Sequence, residues 1–214
     1  MLGDVYTVEQ RSPEWHRLRL GLLTGSCAGA MLATVKSGGE AATRRQLRVR
    51  LACERLTGRS ASDTYQSRDM ARGTALEPLA LAAYEAATGR LVERVGFVKH
   101  PELLAGCSPD ALVDDDGLVE VKCPTSAVHF GYWLAPSTIP NEYLGQVVHN
   151  IWITGAAWCD FVSYDDRFPP PLQVLVIRHM RSVAEMAAYE LQVRRFLDDV
   201  DKQVETIRSV MVAA

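Results

Sequence analysis

Apolar residues recur at helical spacing through most of residues 13–88 and again near the C-terminus, while the middle of the chain carries short apolar runs at strand length. Ser12-Pro13-Glu14 reads as an N-cap, a proline at the first helical position and an acid in the first turn, which opens a short helix over 13–20 stopped by Gly21. Thr24-Gly25-Ser26 caps a second helix reaching about residue 33. Beyond the loop 36–40, Leu47, Leu51 and Leu56 supply the apolar positions of a helix over 41–57. A polar stretch over 58–67 precedes a helix over 69–88 that ends at Gly89. Strands are expected at 91–99, 111–113, 118–121, 158–164 and 172–178, with a helix over about 141–154 among them. A last helix, about 182–211, repeats Val183, Met186, Phe196, Val200, Val204, Ile207 and Met211, a stripe suited to covering a sheet or a neighbouring subunit.

The stretch 106–124 carries the chemistry. Asp116-Gly117 is a tight-turn signal between the runs at 111–113 and 118–121, so it predicts a β-hairpin. Folding there brings Asp110 opposite Glu120 and Lys122, and a strand's period of two sets those two side chains on one face with Val121 on the other. Two carboxylates and an amine then converge. Carboxylates that close repel unless a positive charge lies between them, and oxygen ligands suit a hard divalent cation such as Mg²⁺. A solvated hairpin would show the same alternation. The chain has four lysines against nineteen arginines, however, so a compact, deprotonatable amine stands at 122 against the bias of the composition.

With 214 residues, 48% of them hydrophobic, the chain suits a single domain of ordinary size over 1–214 with a full core. It holds no run of eighteen apolar residues and opens without a basic-then-apolar leader, which points to the cytoplasm and to no membrane partner. Five cysteines without a C-x-x-C pair argue against a disulfide framework, a zinc site or an iron–sulfur cluster. The net charge of −3 conceals a division: residues 1–72 carry twelve Lys and Arg against seven Asp and Glu, the remainder eleven against nineteen. A basic patch on an acidic body fits a protein that admits nucleic acid at one place. Arg44, Arg48, Arg55 and Arg59, near one face of the 41–57 helix, are the candidates to grip a DNA backbone, although a solvated face would look alike. Arg19 beside the hydroxyls of Thr24 and Ser26 suggests an anion pocket. Glu77, alone between Leu76 and Leu79 in an apolar helix, calls for a cation or an arginine. His149 reads as a packed histidine.

These residues carry a resemblance. Trp15-His-Arg-Leu-Arg19-Leu-Gly21-x-x-Thr24-x-Ser26, Arg72-Gly73-x-x-x-Glu77, Cys107-Ser-Pro-Asp110, Glu120-Val-Lys122-Cys-Pro124 and Tyr143-x-x-Gln146-Val, five blocks in order over about 13–165, resemble the lambda-type exonucleases, the YqaJ-like viral recombinase family. The resemblance implies an α/β restriction-endonuclease-like PD-(D/E)xK core, a central mixed sheet flanked by helices. It implies a phage- or prophage-encoded enzyme that degrades the 5′-ended strand of linear duplex DNA processively to mononucleotides, as a ring of three subunits, beside a single-strand annealing protein. Asp110, Glu120 and the Val121 main-chain carbonyl would bind Mg²⁺, two ions per site with Mn²⁺ as a substitute, and Glu77 would complete the site. Lys122 would orient or deprotonate the attacking water, Gln146 would support it, and Arg19, Ser26 and Thr24 would hold the 5′-phosphate. Met70 falls where the family places a wedge that splits the terminal base pair. A structure- or site-specific endonuclease on the same core and a non-catalytic scaffold for DNA ends are the other readings.

Overall fold

The computed structural model describes residues 3–36, 39–61 and 68–213, with side chains over 71–210 in the last of these. The side chains of Met70 and Met211 and most of the polar stretch 58–67 therefore lie outside the described residues. In chain order the elements are β1 (Asp4–Tyr6), α1 (Pro13–Leu18), β2 (Leu23–Thr24), a 3-10 turn (Gly25–Cys27), α2 (Ala28–Leu32), α3 (Ala42–Thr57), α4 (Arg68–Thr88), β3 (Val92–Glu93), β4 (Phe97–Lys99), β5 (Ala105–Cys107), β6 (Ala111–Val113), β7 (Gly117–Lys122), α5 (Ser126–Trp133), α6 (Asn141–Thr154), β8 (Trp158–Tyr164), α7 (Pro170–Gln173), β9 (Val174–Met180) and α8 (Val183–Ala213).

The strands form two sheets. Five are ordered β3-β6-β7-β8-β9, with β7 and β8 parallel and the other pairs antiparallel; four are ordered β1-β4-β5-β2, with β2 and β5 parallel. Because side chains alternate across a strand, the five-stranded sheet divides its apolar residues between two clusters. Val119, Val121, Val162 and Tyr164 pack on Ala80, Leu81 and Tyr84 of α4. Leu118, Cys159, Phe161 and Ile177 pack on Val147 and Ile151 of α6 and, through them, on Val193, Phe196 and Val200 of α8. Burying each such side chain stabilises the fold by about 1.5–3 kcal/mol. The C-terminal stripe therefore faces this core from Met186 to Val204, while Val183 and Ile207 at its ends are exposed.

Several expected elements shift. The hairpin forms, but its turn is Asp114–Asp116, with Val113 opposite Gly117 and Asp114 at φ 50°, rather than a turn on Asp116-Gly117. Gly117 is needed in the strand itself: a Cβ there would meet the Trp158 ring at 2.1 Å. The run 91–99 is two strands in two sheets. It breaks before Gly96, where the chain passes so close to Val8 that a Cβ would lie 2.1 Å from its carbonyl oxygen. Residues 170–173 turn as α7 ahead of β9, since Pro169, Pro170 and Pro171 suit a helix start and cannot donate to a strand ladder. Ser12 caps α1 as expected, through a 3.1 Å bond from the Trp15 amide. Thr24 ends a strand instead, and its side chain makes no capping bond.

His149 is a packed histidine, fully buried on α6, with Nδ1 2.7 Å from the Tyr189 hydroxyl of α8 and Nε2 3.0 Å from the Gly106 carbonyl of β5. A neutral ring that donates from Nε2 and accepts at Nδ1 satisfies both. Burial lowers its pKa from 6.5 to about 4, helped by the nearby charges of Arg19 and His100. Between those values the unfolded chain binds a proton that the folded chain refuses, so stability is lost as pH falls from about 6.5 toward 4, by up to about 3 kcal/mol. Urea midpoints at pH 7.5, 6 and 5 should fall more steeply for the wild type than for His149→Gln; equal slopes would assign the acid sensitivity to other groups.

Candidate active site

The β6–β7 hairpin brings Asp110 and Glu120 together as its register requires. Asp110, one residue before β6, accepts the Val121 amide proton at 2.6 Å through Oδ2. Glu120, only 1% exposed, points from β7 toward α6. Its Oε1 accepts from Lys122 Nζ and from Gln146 Nε2, each at 2.5 Å, and its Oε2 accepts from Asn150 Nδ2 at 2.9 Å. Gln146 and Asn150 stand four residues apart, one above the other on α6, which is why both reach one carboxylate. Asn150 was not among the residues singled out in the sequence, yet its i+4 spacing from Gln146 is the signal that could have found it. The Lys122 ammonium also sits 5.2 Å from the centre of the Tyr143 ring.

The electrostatics follow from this packing. Burial first, then the Glu120 charge, hold the Asp110 carboxyl well above the usual carboxylate range, against the opposing pull of Lys122 and the Val121 amide. Burial alone would lower the Lys122 amine, but Glu120 and Asp110 outweigh it and the pKa is raised. Lys122 is thus an ammonium in this arrangement, not the lowered amine that desolvation beside a cation would give. Among the described residues no three His, Cys, Asp or Glu side chains gather around one point suited to an ion. The donors nonetheless fit a hard divalent cation: a destabilised pair of carboxylates, all oxygen, with the Val121 main chain between them.

Glu77, 9% exposed on α4, adds to the negative field at Asp110, but its Oε2 accepts from Arg11 Nη2 at 2.7 Å and Arg94 lies 3.8 Å from its Oε1. The expectation that it would need a cation or an arginine is met by arginine. Arg11 has a left-handed backbone, φ 70°, and its neighbour Gln10 donates to the carbonyls of Val95 and Pro109. That short segment straps the start of the chain to the residue before Asp110. From α4, Arg72 donates to the carbonyls of Cys123 and Pro124 at 3.4 and 3.1 Å and pairs with Asp165 and Asp166, which fixes the chain immediately after Lys122.

Arg19, Thr24 and Ser26 come together beside this cluster. Arg19 Nη2 lies 3.4 Å from Thr24 Oγ1 and Nη1 3.3 Å from Ser108 Oγ; Thr24 Oγ1 is 3.5 Å from Ser26 Oγ. The guanidinium covers the half-buried Trp15 ring at 3.9 Å, and the indole donates to Ser108 and to the Gly96 carbonyl. Ser108, two residues before Asp110, is a further hydroxyl that the sequence reading passed over. Burial lowers Arg19 to about 10, which leaves it charged at neutral pH. A cavity of about 90 Å³ lined by Trp15, Arg19, Ser26, Ser108, Gln146 and Asn150 joins the cluster to the Glu120 centre. Gly25 is required at this junction, because a Cβ would lie 2.5 Å from Asn150 Oδ1.

The arginines of α3 take other places. Arg44 donates to the Met31 carbonyl and lies 3.9 Å from Asp199 of α8; Arg48 forms two bonds to Glu40; Arg55, its side chain 9% exposed, bonds the Gly21 carbonyl and Asp201 of α8. The face expected to lie open to DNA is thus engaged at the α3–α8 seam and at Glu40, because Leu47, Leu51 and Ala52 turn the helix's apolar side into the core next to α8. Arg59 follows α3 and lines a separate cavity with Arg19 and Arg50.

The sequence and the fold match known proteins. The YqaJ-like viral recombinase domain matches residues 14–157. Two crystal structures of LHK-Exo, an alkaline exonuclease from Laribacter hongkongensis, one of them in complex with dAMP, share 37% identity with this chain over 95% of its length and 100% of theirs, with TM-scores of 0.85. A phage related exonuclease from Haemophilus somnus 129PT shares the fold, with a TM-score of 0.65 at 13% identity over 87% of this chain and 96% of its own. No curated protein sequence matches. With its mixed α/β nuclease core and the Asp110–Glu120–Lys122 centre on the hairpin, the chain belongs to the YqaJ-like viral recombinase family.

Proposed function

We propose that this nuclease is a Mg²⁺-dependent exonuclease that removes mononucleotides from the 5′-ended strand of linear duplex DNA and leaves a 3′ single strand for recombination by strand annealing. The nuclease activity itself follows from the family and from the likeness to an alkaline exonuclease. The direction rests on one observation: Arg19 and Ser26 of the anion cluster line one cavity with Gln146 and Asn150, the two amides that hold Glu120, which suits a terminal phosphate held beside a hydrolytic site. The dAMP bound by LHK-Exo is the kind of product such a site releases.

Asp110, Glu120 and the Val121 carbonyl would hold the metal, with Glu77 as a further carboxylate once released from Arg11, and Mn²⁺ has the same preference for oxygen donors. When bound, the metal neutralises charge on the scissile phosphate and makes a bound water more acidic. Lys122, fixed by Glu120 and Tyr143, donates hydrogen bonds from Nζ to orient the attacking water or a phosphate oxygen. Gln146 and Asn150 keep Glu120 from rotating, so its charge stays aimed at the reacting phosphate. Arg19 meets the doubly charged 5′-phosphate, and Ser26, Thr24 and Ser108 offer hydroxyls to its remaining oxygens. A ring of three copies and a single-strand annealing partner belong to the same reading. The exposed apolar Val49, Ile207 and Val210 of α3 and α8 are a surface that a neighbouring copy would cover, and sedimentation of the pure protein measures it.

Digestion of 5′-phosphorylated linear duplex beside a covalently closed circle tests the reading. Mononucleotides from the linear substrate alone, abolished by EDTA and slowed about 10²–10³-fold by Lys122→Ala, are expected. Cut circles would instead establish an endonuclease, and end binding without products a scaffold. Arg19→Ala should slow 5′-phosphorylated ends by about 10–100-fold and 5′-hydroxyl ends much less, as loss of a charged hydrogen bond predicts; equal slowing would remove the anchor. Arg72→Lys, which cannot bridge two carbonyls and two carboxylates at once, should lower kcat about tenfold or more with little change in KM. Arg167 still holds Asp165 in that variant, so an unfolded protein would contradict the positioning role.

A further inference from the structure

Behind the anion cluster lies a second, larger cavity, about 650 Å³, lined among the described residues by Trp15, Leu20 and Leu22 together with Arg17, Arg50 and Arg59. It shares Trp15, Arg19 and Ser26 with the small cavity that reaches Gln146 and Asn150, and none of its lining residues belongs to the Asp110–Glu120–Lys122 centre. Arg19 and Ser26 therefore border both cavities, the small one lined also by the Gln146 and Asn150 that hold Glu120. A phosphate seated at Arg19 would lie next to both spaces. The volume is that of a ligand pocket and far exceeds what one terminal phosphate occupies.

Its lining mixes cations with apolar surface, the combination that a nucleotide rather than a bare anion requires. Arg50 contributes a second observation. Its Nη2 meets Cys27 Sγ at 2.9 Å and its Nε stands 3.9 Å from Glu54, too far for a hydrogen bond, so a buried Nε–H has no acceptor among the described residues. Glu54, the acid in this lining, is itself engaged by the Gly21 amide. The guanidinium as a whole is one-third exposed, bonds no oxygen among the described residues, and can offer its Nη groups to an oxygen-rich ligand in the cavity.

We propose that this cavity is a subsite for one nucleotide lying on the 5′ side of the anchored phosphate, so that a duplex with a one-nucleotide 5′ overhang binds with an internal phosphate at Arg19 and its terminal nucleotide beside Arg50 and Arg59. The inference rests on the 5′-anchor reading. Water then adds to the next phosphorus in the 3′ direction, the P–O3′ bond breaks, and O3′ leaves with a proton. The products are a 5′-phosphorylated dinucleotide with a 3′-hydroxyl and a strand that again bears a 5′-phosphate.

The test compares 5′-phosphorylated blunt duplex with duplex carrying a one-nucleotide 5′ overhang, with Mg²⁺, for the wild type and for Arg50→Gln. A dinucleotide is expected as the first product from the overhang and a mononucleotide from the blunt end. Arg50→Gln should lose about tenfold of the dinucleotide release while blunt digestion stays within about twofold. Mononucleotides alone from the overhang, or equal slowing on both substrates, would overturn the subsite. Binding of a 5′-phosphorylated dinucleotide and of a mononucleotide in EDTA, followed by calorimetry, separates this from the function itself. Tighter dinucleotide binding that Arg50→Gln loses supports the subsite even if blunt duplex is not digested, a result that would sink only the exonuclease reading; equal affinities overturn the subsite alone.

Discussion

A single buried carboxylate organises this enzyme. Glu120 is nearly sealed from solvent, where an unpaired charge would be prohibitive, and the fold answers with one ammonium and two amides drawn from β7 and α6. Each of those donors is held in turn: Lys122 by its strand and the Tyr143 ring, Gln146 and Asn150 by a helix whose other face is locked into the core through Ile151 and His149. The two sheets and α8 can be seen as the apparatus that keeps one negative charge where water cannot neutralise it.

The same requirement accounts for the arginines. Arg72 fixes the chain after Lys122, Arg11 meets Glu77, and Arg178 forms two bonds to Asp160, which also accepts from Tyr84 on the far face of the sheet. Arginine suits these positions because its planar fork spans several acceptors at once. Lysine at 122 does what a fork could not, presenting a compact charge between a carboxylate and an aromatic ring.

Much of this was legible in the sequence, for identifiable reasons. The hairpin and the shared face of Glu120 and Lys122 follow from a period of two and a turn signal, which are local. The α6 helix and the C-terminal stripe follow from a period of 3.6. What escaped was non-local. The exact turn depended on Trp158, forty-one residues away in the chain, lying against Gly117. The division of the run 91–99 between two sheets depended on the approach of Val8 to Gly96. The α3 arginines looked like an open basic face, because nothing nearby in sequence announces that Asp199 and Asp201 of α8 will meet Arg44 and Arg55. Ser108 and Asn150 were hidden beside more conspicuous neighbours.

The contact between Gly25 and Asn150 has a consequence for how this site can change over time. A Cβ at position 25 would press on the Asn150 amide that holds Glu120, and a smaller residue at 150 would relieve the contact that favours glycine. The two positions, one on the turn between β2 and α2 and one behind the buried Glu120, are thus coupled through a single contact. A lineage that enlarged residue 25 would have to rebuild the support of Glu120 in the same step.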